Sequence, residues 1–441
     1  MKKDKGLYLE IIKEPEYIKL MLSTVINRFG DSVDAIAFTW LVYQITQSAF
    51  WSVIVFALNM LPNVIVQPFA GAIVEKMNKK AVVVFTHVLR ALIIALFVFF
   101  YIKDYVNPAL MAAFTLLVTT VESFNLPATT AFTSEIVKKE HITAGMSLSK
   151  MLSSAATLAG TGAAGFIIAK LGVHGAMLID VFTFIIAALF IGIMKTNKNN
   201  IKELAKPGSE EEDKTDKKYK KSKLAFFLDG LKYVAKSPVI RNFGLIAVAL
   251  NFLLIPINAL EAPIANEIFN KGEEILSFAG AFAAIGGIAG SFAIPFLSKK
   301  LSPLKEMCLG ISGLGIGILG IALGGLFRDS NVASYVDVSL SYFIMMFSAS
   351  LIGSIIGIQF MKCADPKYIA RASAVMGAAG SASMPIGSVL LSLIVSHVSS
   401  KSILVFCAVF ALIVLGIMVI VKPRLELESH EEEKKELADA V

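Results

Sequence analysis

Long apolar segments, separated by short polar turns, make up most of this 441-residue chain. A helix needs roughly 20 mostly apolar residues to cross the hydrocarbon core of a bilayer. Each crossing is expected to be helical, because lipid offers no partner to free backbone N–H and C=O groups. The pattern predicts an all-α membrane protein with twelve transmembrane helices, at residues 18–44, 49–74, 80–102, 108–134, 143–169, 173–194, 239–260, 275–297, 303–326, 335–360, 372–397 and 400–421.

The composition points the same way. Hydrophobic residues make up 56% of the chain and charged residues 17%. Of the 41 basic and 34 acidic residues, 36 fall in three segments, 1–19, 195–223 and 422–441. The rest of the chain has too few charges to cover the surface of a soluble fold. The composition therefore excludes a soluble enzyme, a secreted disulfide scaffold and a nucleic-acid-binding protein.

The charged segments divide the chain into five parts. Residues 195–223 are too polar to bury a core, and the next stretch, 224–243, resembles an amphipathic helix at the membrane interface. We therefore predict a cytoplasmic N-terminal segment, a six-helix bundle, a cytoplasmic linker with an amphipathic helix, a second six-helix bundle and a cytoplasmic tail, at residues 1–19, 20–194, 195–238, 239–421 and 422–441.

The distribution of lysine and arginine predicts the orientation in the membrane. Loops on the cytoplasmic side carry an excess of these residues. With the N-terminus inside, the cytoplasmic turns hold eleven of them and the external turns five, and both termini are cytoplasmic. We expect a multi-pass protein of the cytoplasmic (inner) membrane, with inside residues Lys76, Lys79, Lys80, Lys138, Lys139, Lys299, Lys300, Lys305, Lys362, Lys367 and Arg371, and outside residues Lys103, Lys170, Lys271, Arg328 and Lys401.

The two bundles resemble each other weakly in sequence. Ile142 precedes Ile369 by 227 positions, and the same offset relates Gly160 to Gly387. Two six-helix halves arranged about a central site are typical of secondary transporters.

Charged side chains inside the membrane are costly and need a reason. The first span contains Arg28, Asp31 and Asp34, spaced so that they follow one stripe of a helix. The third span contains Arg90 and the fourth contains Glu122. At about 1.5 Å per residue, Arg28, Asp31, Arg90 and Glu122 lie at one depth, roughly 15–20 Å from the cytoplasmic surface. The sequence therefore predicts a buried network.

Two interpretations of this network remain open. Burial disfavours the charged form of a carboxyl group unless a cation offsets it, so the network could bind and release a coupling proton. It could equally be a structural ion network that holds the spans together. Asp34 is the strongest single candidate for the proton site, because it is the carboxylate farthest along the helix from Arg28. We interpret Asp180 as a packing acceptor and Glu261 as a solvated residue at the outer surface.

The turn after the second span resembles a known family signature. Residues 71–80 read GAIVEKMNKK, which is similar to the G-x-x-x-D-[RK]-x-x-[RK]-[RK] loop of the major facilitator superfamily, with Glu75 where the family has Asp. Further segments, including RFGD at 28–31 and IDVFTF at 179–184, resemble the branch of macrolide-efflux, siderophore-export and lysophospholipid-transport proteins. The resemblance is specific from about residue 20 to 194.

The resemblance implies a cytoplasmic gate between the halves. In the family, the loop that begins at the position of Gly71 joins the two bundles through its charges. Carried over, Glu75 would face the start of the eleventh span near Arg371, and Lys79 or Lys80 would pair with Glu135.

The expected function is transport and not catalysis. The leading hypothesis is a proton-coupled antiporter that exports a small lipophilic or amphipathic compound by alternating access. A lipid or lysophospholipid translocator is the alternative, and a non-transporting membrane receptor is a remote third. We expect no cofactor besides the coupling proton, no bound metal and no nucleic-acid partner. We expect a monomer surrounded by membrane lipids.

Overall fold

The computed structural model describes residues 14–75, 77–136, 142–195, 223–364, 368–423 and 425. The predictions for most of the N-terminal segment, the linker from 196 to 222 and most of the tail lie outside the described residues. The regular elements within the described ranges are helices: α1 Pro15–Thr46, α2 Ala49–Ile65, α3 Gln67–Val74, α4 Lys79–Ile102, α5 Pro108–Ile136, α6 Ile142–Gly192, α7 Lys223–Lys236, α8 Pro238–Ala259, α9 Glu261–Pro263, α10 Glu274–Leu297, α11 Pro303–Leu323, α12 Asn331–Cys363, α13 Ile369–Val395 and α14 Ser400–Val421.

Helix α6 contains the fifth and sixth predicted spans. A straight helix of its 51 residues would be about 75 Å long, more than twice the roughly 30 Å hydrocarbon core of a bilayer. Gly172 interrupts it with non-helical backbone angles, φ 71° and ψ 171°. Glycine adopts a positive φ without the clash that a Cβ would bring. The chain therefore turns between the two predicted crossings at this residue.

The number of crossings is not confirmed as twelve. Nine helical segments of the described chain are long and apolar enough to cross a membrane, and α6 is one of them. The second predicted span is divided at Val66 into α2, which has 17 residues, and α3, which has 8. Helix α1 has 32 residues but carries the charged stripe, and it is not among the nine.

The N-terminal half, α1 to α6, is held together by close packing of α1 on α6. A Cβ at Gly30 would overlap the side chains of Asp180 and Thr183, and a Cβ at Gly160 would lie 2.5 Å from the Phe29 carbonyl oxygen. At one end of this interface, the Tyr17 hydroxyl donates a hydrogen bond to the Gly145 carbonyl oxygen at 2.7 Å. Small residues therefore set the distance between the two backbones, as is typical of membrane helices.

In the C-terminal half, α8 to α14, small residues likewise allow helices to pack closely. Cβ atoms at Gly286 and Gly290 on α10 would overlap the carbonyl oxygens of Phe343 and Phe347 on α12. We call the end of the molecule at which α4 begins, at Lys79, the basic end, and the other the opposite end. Because the long helices alternate in direction, α10 begins at the opposite end and α13 begins at the basic end.

Helix α7 packs on the start of α13 at the basic end. Tyr233 stacks on Tyr368 with ring centroids 4.7 Å apart, and a Cβ at Gly230 would lie 2.7 Å from the Arg371 carbonyl oxygen. The amphipathic stretch was predicted to continue to residue 243, but α7 ends at Lys236. The reason is Pro238, which disfavours helical geometry in the residue before it and starts α8.

Candidate functional site

A cavity of about 390 Å³ lies between the two halves. Aliphatic and aromatic side chains form most of its wall, which includes Phe38, Phe56, Phe97 and Phe114. Its charged lining residues are Arg28, Asp31, Asp34, Arg90, Glu122 and Glu261. All five charged residues predicted from the first, third and fourth spans therefore face one space.

Arg90 is the centre of the charged network. Its guanidinium lies 3.0 Å from Asp31 Oδ1 and 3.8 Å from Glu122 Oε2. The guanidinium also lies over the ring of Phe184, 4.2 Å from the centroid. Arg90 is only 6% exposed, so these partners replace the water that a buried cation needs. The network joins α1, α4 and α5 in the N-terminal half.

Asp31 accepts two hydrogen bonds and has a second cation nearby. Besides Arg90, Asn27 Nδ2 donates to Asp31 Oδ2 at 2.8 Å, and Arg28 Nη1 lies 3.7 Å from the same oxygen. The side chain of Arg28 is 48% exposed, whereas that of Asp31 is 16% exposed. Asp31 is therefore the buried, neutralised member of the network, and Arg28 lies at its rim.

Asp34 has a different environment from Asp31, although it lies one turn away on the same helix. Its Oδ1 atom is fully buried and accepts no hydrogen bond within the described chain. Asp34 is within electrostatic range of Asp31 and Arg90, but neither the Arg28 nor the Arg90 guanidinium forms an ion pair with it. A buried carboxylate without a hydrogen bond or a contact cation is expensive, so this group is suited to take up a proton or a cationic ligand.

Glu261 lines the cavity from the C-terminal half, and the expectation that it is solvated at the outer surface was wrong. Helix α8 ends at Ala259, and the seventh span continues as the short helix α9 and a π-helical turn, Ile264–Ile268. Pro263 has no N–H to donate to the Ala259 carbonyl oxygen, so the regular helix is interrupted there. This break places Glu261 in the cavity wall.

Asp180 is buried and accepts a hydrogen bond from the Thr183 hydroxyl at 3.0 Å. It lies on α6 beside Gly30 of α1, within electrostatic range of Arg90. This geometry agrees with the interpretation of Asp180 as a packing acceptor. No group of three or more His, Cys, Asp or Glu side chains in the described part of the chain could hold a metal ion.

The halves contact each other at the opposite end. The Tyr43 hydroxyl on α1 donates to Glu267 Oε1 at 3.3 Å, and the Gly165 N–H on α6 donates to Ser277 Oγ on α10 at 2.5 Å. A Cβ at Gly280 on α10 would overlap Thr161 on α6. Polar contacts and close backbone packing therefore close the cavity toward the opposite end.

The halves separate at the basic end. A Cβ at Gly71 or at Gly377 would meet nothing within 4 Å, and Glu75 is exposed. No ion pair joins Glu75 to Arg371 within the described residues, so this part of the expected gate is not formed here. Arg371 lies instead 3.8 Å from Asp229 of α7.

The other expected gate residues lie within the N-terminal half. Lys79 Nζ is 3.8 Å from Glu135 Oε1, which is one of the two pairs that the resemblance left open. Lys80 Nζ donates to the carbonyl oxygens of Gly192 and Met194, each at 2.7 Å. Lys79 therefore joins α4 to α5, whereas Lys80 joins α4 to the end of α6.

The sequence comparison decides the family. The profile of the Major Facilitator Superfamily matches residues 20–384, which include most of both halves and every charged residue that lines the cavity. This chain belongs to the Major Facilitator Superfamily. It is therefore a multi-pass membrane transporter and not an enzyme.

Relatives of this superfamily member include transporters from several bacteria. The uncharacterized MFS-type transporter YkuC of Bacillus subtilis (strain 168) is 24% identical over 322 residues, covering 71% of this chain and 72% of YkuC. The multidrug efflux pump Tap of Mycolicibacterium fortuitum is 24% identical over 298 residues, covering 66% of this chain and 70% of Tap. A crystal structure of the nucleoside transporter NupG has the same fold, with a TM-score of 0.72 at 10% identity over 93% of this chain and 99% of NupG.

Sequence reasoning missed Glu261 and Asn27. A signal for Glu261 was present, because Pro256 and Pro263 flank it within an otherwise apolar segment. Proline-interrupted spans are common at the binding sites of secondary transporters. Asn27 carried no comparable signal, since an amide on an apolar helix is equally compatible with helix packing.

Proposed function

We propose that this transporter is a proton-coupled antiporter that exports a small lipophilic or amphipathic compound. The observation that carries the proposal is the environment of Asp34. This carboxylate lies in the cavity wall, its Oδ1 accepts no hydrogen bond within the described chain, and the cations of the cavity contact Asp31 instead. A group that is costly to keep charged when buried, and that gains solvent when the cavity opens, suits the uptake and release of a proton.

The arrangement of the two ends supports alternating access. Contacts between the halves close the opposite end, whereas at the basic end a Cβ at Gly71 would meet nothing within 4 Å and Glu75 is exposed. Rocking of the halves about the cavity would exchange these two states. The lysine and arginine distribution predicts that the basic end is cytoplasmic, and in that orientation the cavity loads from the cytoplasm.

The cavity wall supports a partly apolar substrate. Four phenylalanine rings and several aliphatic side chains face the space, together with the charged groups. Pockets of a few hundred cubic ångströms with mostly apolar walls and a few polar groups bind drug-sized ligands. The similarity to the multidrug efflux pump Tap supports efflux as the direction of transport.

Everted membrane vesicles test the coupling. A preformed pH gradient, acid inside, is monitored with a fluorescent amine while ethidium, erythromycin or tetracycline is added. We expect at least one of these compounds to dissipate the gradient in vesicles with the wild-type protein. Asp34→Asn should abolish this response, because the amide neither binds nor releases a proton.

Asp104→Asn is the matched control. Asp104 is exposed in the turn after α4, and asparagine tolerates its positive φ of 58°. The Asp104→Asn variant should dissipate the pH gradient as the wild type does. If Asp34→Asn dissipates the gradient at the wild-type rate, the assignment of the coupling proton to Asp34 is wrong. Gradient-independent movement of lysophospholipids, with no response to the three drugs, would favour the lipid translocator.

A further inference from the structure

We infer that Asp34 and Glu261, which line one cavity from opposite halves, together form a binding site for an organic cation. This inference rests on the proposed function, since it names the substrate class of the same cavity. It also assigns a specificity-determining role to a residue in the half whose other lining residues, Asn258 and Ala259, carry no charge.

The first step is the register between the halves. Gly160 and Gly387 are 227 positions apart and pack in equivalent places. A Cβ at Gly160 on α6 would meet the backbone of Phe29 and the side chain of Ser32 on α1. A Cβ at Gly387 on α13 would meet Phe252 and Ile255 on α8. Helix α8 therefore takes the place in the C-terminal half that α1 takes in the N-terminal half. The contacts pair Phe29 with Phe252 and Ser32 with Ile255, so the two helices are shifted by one turn from the offset of the glycines.

The second step is the position of the carboxylates in the cavity wall. Asp31 and Asp34 on α1 line the cavity from the N-terminal half, and Asn258 and Glu261 line it from the C-terminal half. Each half therefore contributes one carboxylate, Asp34 or Glu261, three positions after another polar lining residue.

The third step is the balance of charge. Asp31 has Arg90 and Arg28 beside it, and Glu122 has Arg90. No hydrogen bond or ion pair joins Glu261 to another residue of the described chain, and Asp34 Oδ1 is likewise without a hydrogen bond. The described lining holds four carboxyl groups and two guanidinium groups, which leaves a negative surplus. In a cavity that is closed at one end and walled mostly by apolar side chains, this surplus favours a positively charged ligand.

The fourth step is the chemical class of the cation. The phenylalanine rings of the wall leave space for an apolar body, and aromatic faces attract organic cations. A small hydrated metal ion lacks a cluster of ligands in the described chain. The site therefore suits a hydrophobic ammonium or phosphonium compound.

Equilibrium dialysis with the purified full-length transporter tests this inference. The probes are tetraphenylphosphonium, which is a permanent apolar cation, and triphenylphosphine oxide, which is a neutral analogue. The wild type should bind the cation more tightly than the neutral compound. Glu261→Gln should weaken tetraphenylphosphonium binding on the order of tenfold, because it removes the coulombic attraction between one carboxylate and the cation. It should change the affinity for triphenylphosphine oxide less than about twofold, and Glu261→Asp should retain most of the cation affinity.

Glu306→Gln is the matched control. It makes the same substitution at a buried glutamate of the same half that does not line the cavity. It should leave both affinities unchanged. Equal affinity of the wild type for both probes, unchanged cation binding in Glu261→Gln, or equal weakening of both probes would each overturn the inference.

The coupling proposal fails separately from this inference. A transporter that binds the cation through Glu261 but never dissipates the pH gradient refutes proton coupling and leaves the cation site intact. If the transporter dissipates the gradient in an Asp34-dependent way but its cation binding does not depend on Glu261, proton coupling is supported and the cation site is refuted.

Discussion

The N-terminal half contributes five charged residues to the described wall of the cavity, whereas the C-terminal half contributes one. Four of the five are joined in ion pairs centred on Arg90 and Asp31. On the other wall, Glu261 lies beside Asn258 at a break in the seventh span and has no ion-pair partner within the described residues. The two walls therefore differ in how their charges are compensated as well as in how many they carry.

This difference separates structural charges from charges that are available to a ligand. Breaking a buried ion pair leaves an uncompensated charge, which is costly. Neutralising a buried carboxylate that has no partner instead removes the free-energy cost of burying its charge. Substitutions that look equivalent in the sequence should therefore have opposite effects on stability.

The largest expected effect is at the centre of the network. Arg90→Met removes the cation that lies beside both Asp31 and Glu122, and we expect it to lower the free energy of unfolding by about 3–5 kcal/mol. Denaturant titration of the purified transporter measures this change. Arg328→Met is the control, because Arg328 is exposed and should contribute less than about 1 kcal/mol. An Arg90→Met variant as stable as the wild type would remove the basis for a structural network.

An intermediate effect should separate the two aspartates of α1. Asp31→Asn loses the charge that Arg90 and Asn27 contact, and we expect a loss of about 1.5–3 kcal/mol in the free energy of unfolding. Asp34→Asn should be neutral or stabilising, because Oδ1 accepts no hydrogen bond within the described chain. The same denaturant titration compares the pair. If both variants lose the same stability, the distinction between paired and unpaired carboxylates is not valid.

The smallest expected effect is at the closed end. Tyr43→Phe removes the hydrogen bond between Tyr43 and Glu267, which is worth about 1 kcal/mol or less at its length of 3.3 Å. We expect a shift toward the state that is open at the opposite end, by a factor of about five or less.

The rate at which a membrane-impermeant thiol reagent, added outside right-side-out vesicles, labels Asn258→Cys measures this shift, in a protein whose native Cys308, Cys363 and Cys407 are replaced by serine. In the predicted orientation the reagent reaches position 258 only from the opposite end. Tyr101→Phe is the control, because Tyr101 packs on His174 within the N-terminal half. Equal labelling rates in Tyr43→Phe and the control would show that the contact does not hold the end closed.

Much of the N-terminal wall was predictable because its signals are local. Arg28, Asp31 and Asp34 follow one stripe of a helix, and the rise per residue predicts that Arg90 and Glu122 share their depth. The break between the fifth and sixth spans coincides with Gly172, where the sequence offers a residue that tolerates a positive φ. The pair Lys79–Glu135 followed from a resemblance to a family motif, and the structure places its two side chains 3.8 Å apart.

The sequence therefore predicts the fold class, the insertion in a membrane and the charged residues of the first, third and fourth spans. These features can be predicted because apolar segments, charge distribution and family motifs are all local patterns along the chain. The partners of those charges and the position of Glu261 depend on how helices meet. Asp31 and Asp34 are the same residue type one turn apart. Only the packing of α4 beside α1 places Arg90 in contact with Asp31 and not with Asp34. A helix break at Pro263 and the approach of the two halves likewise turn a presumed surface glutamate into part of the cavity wall.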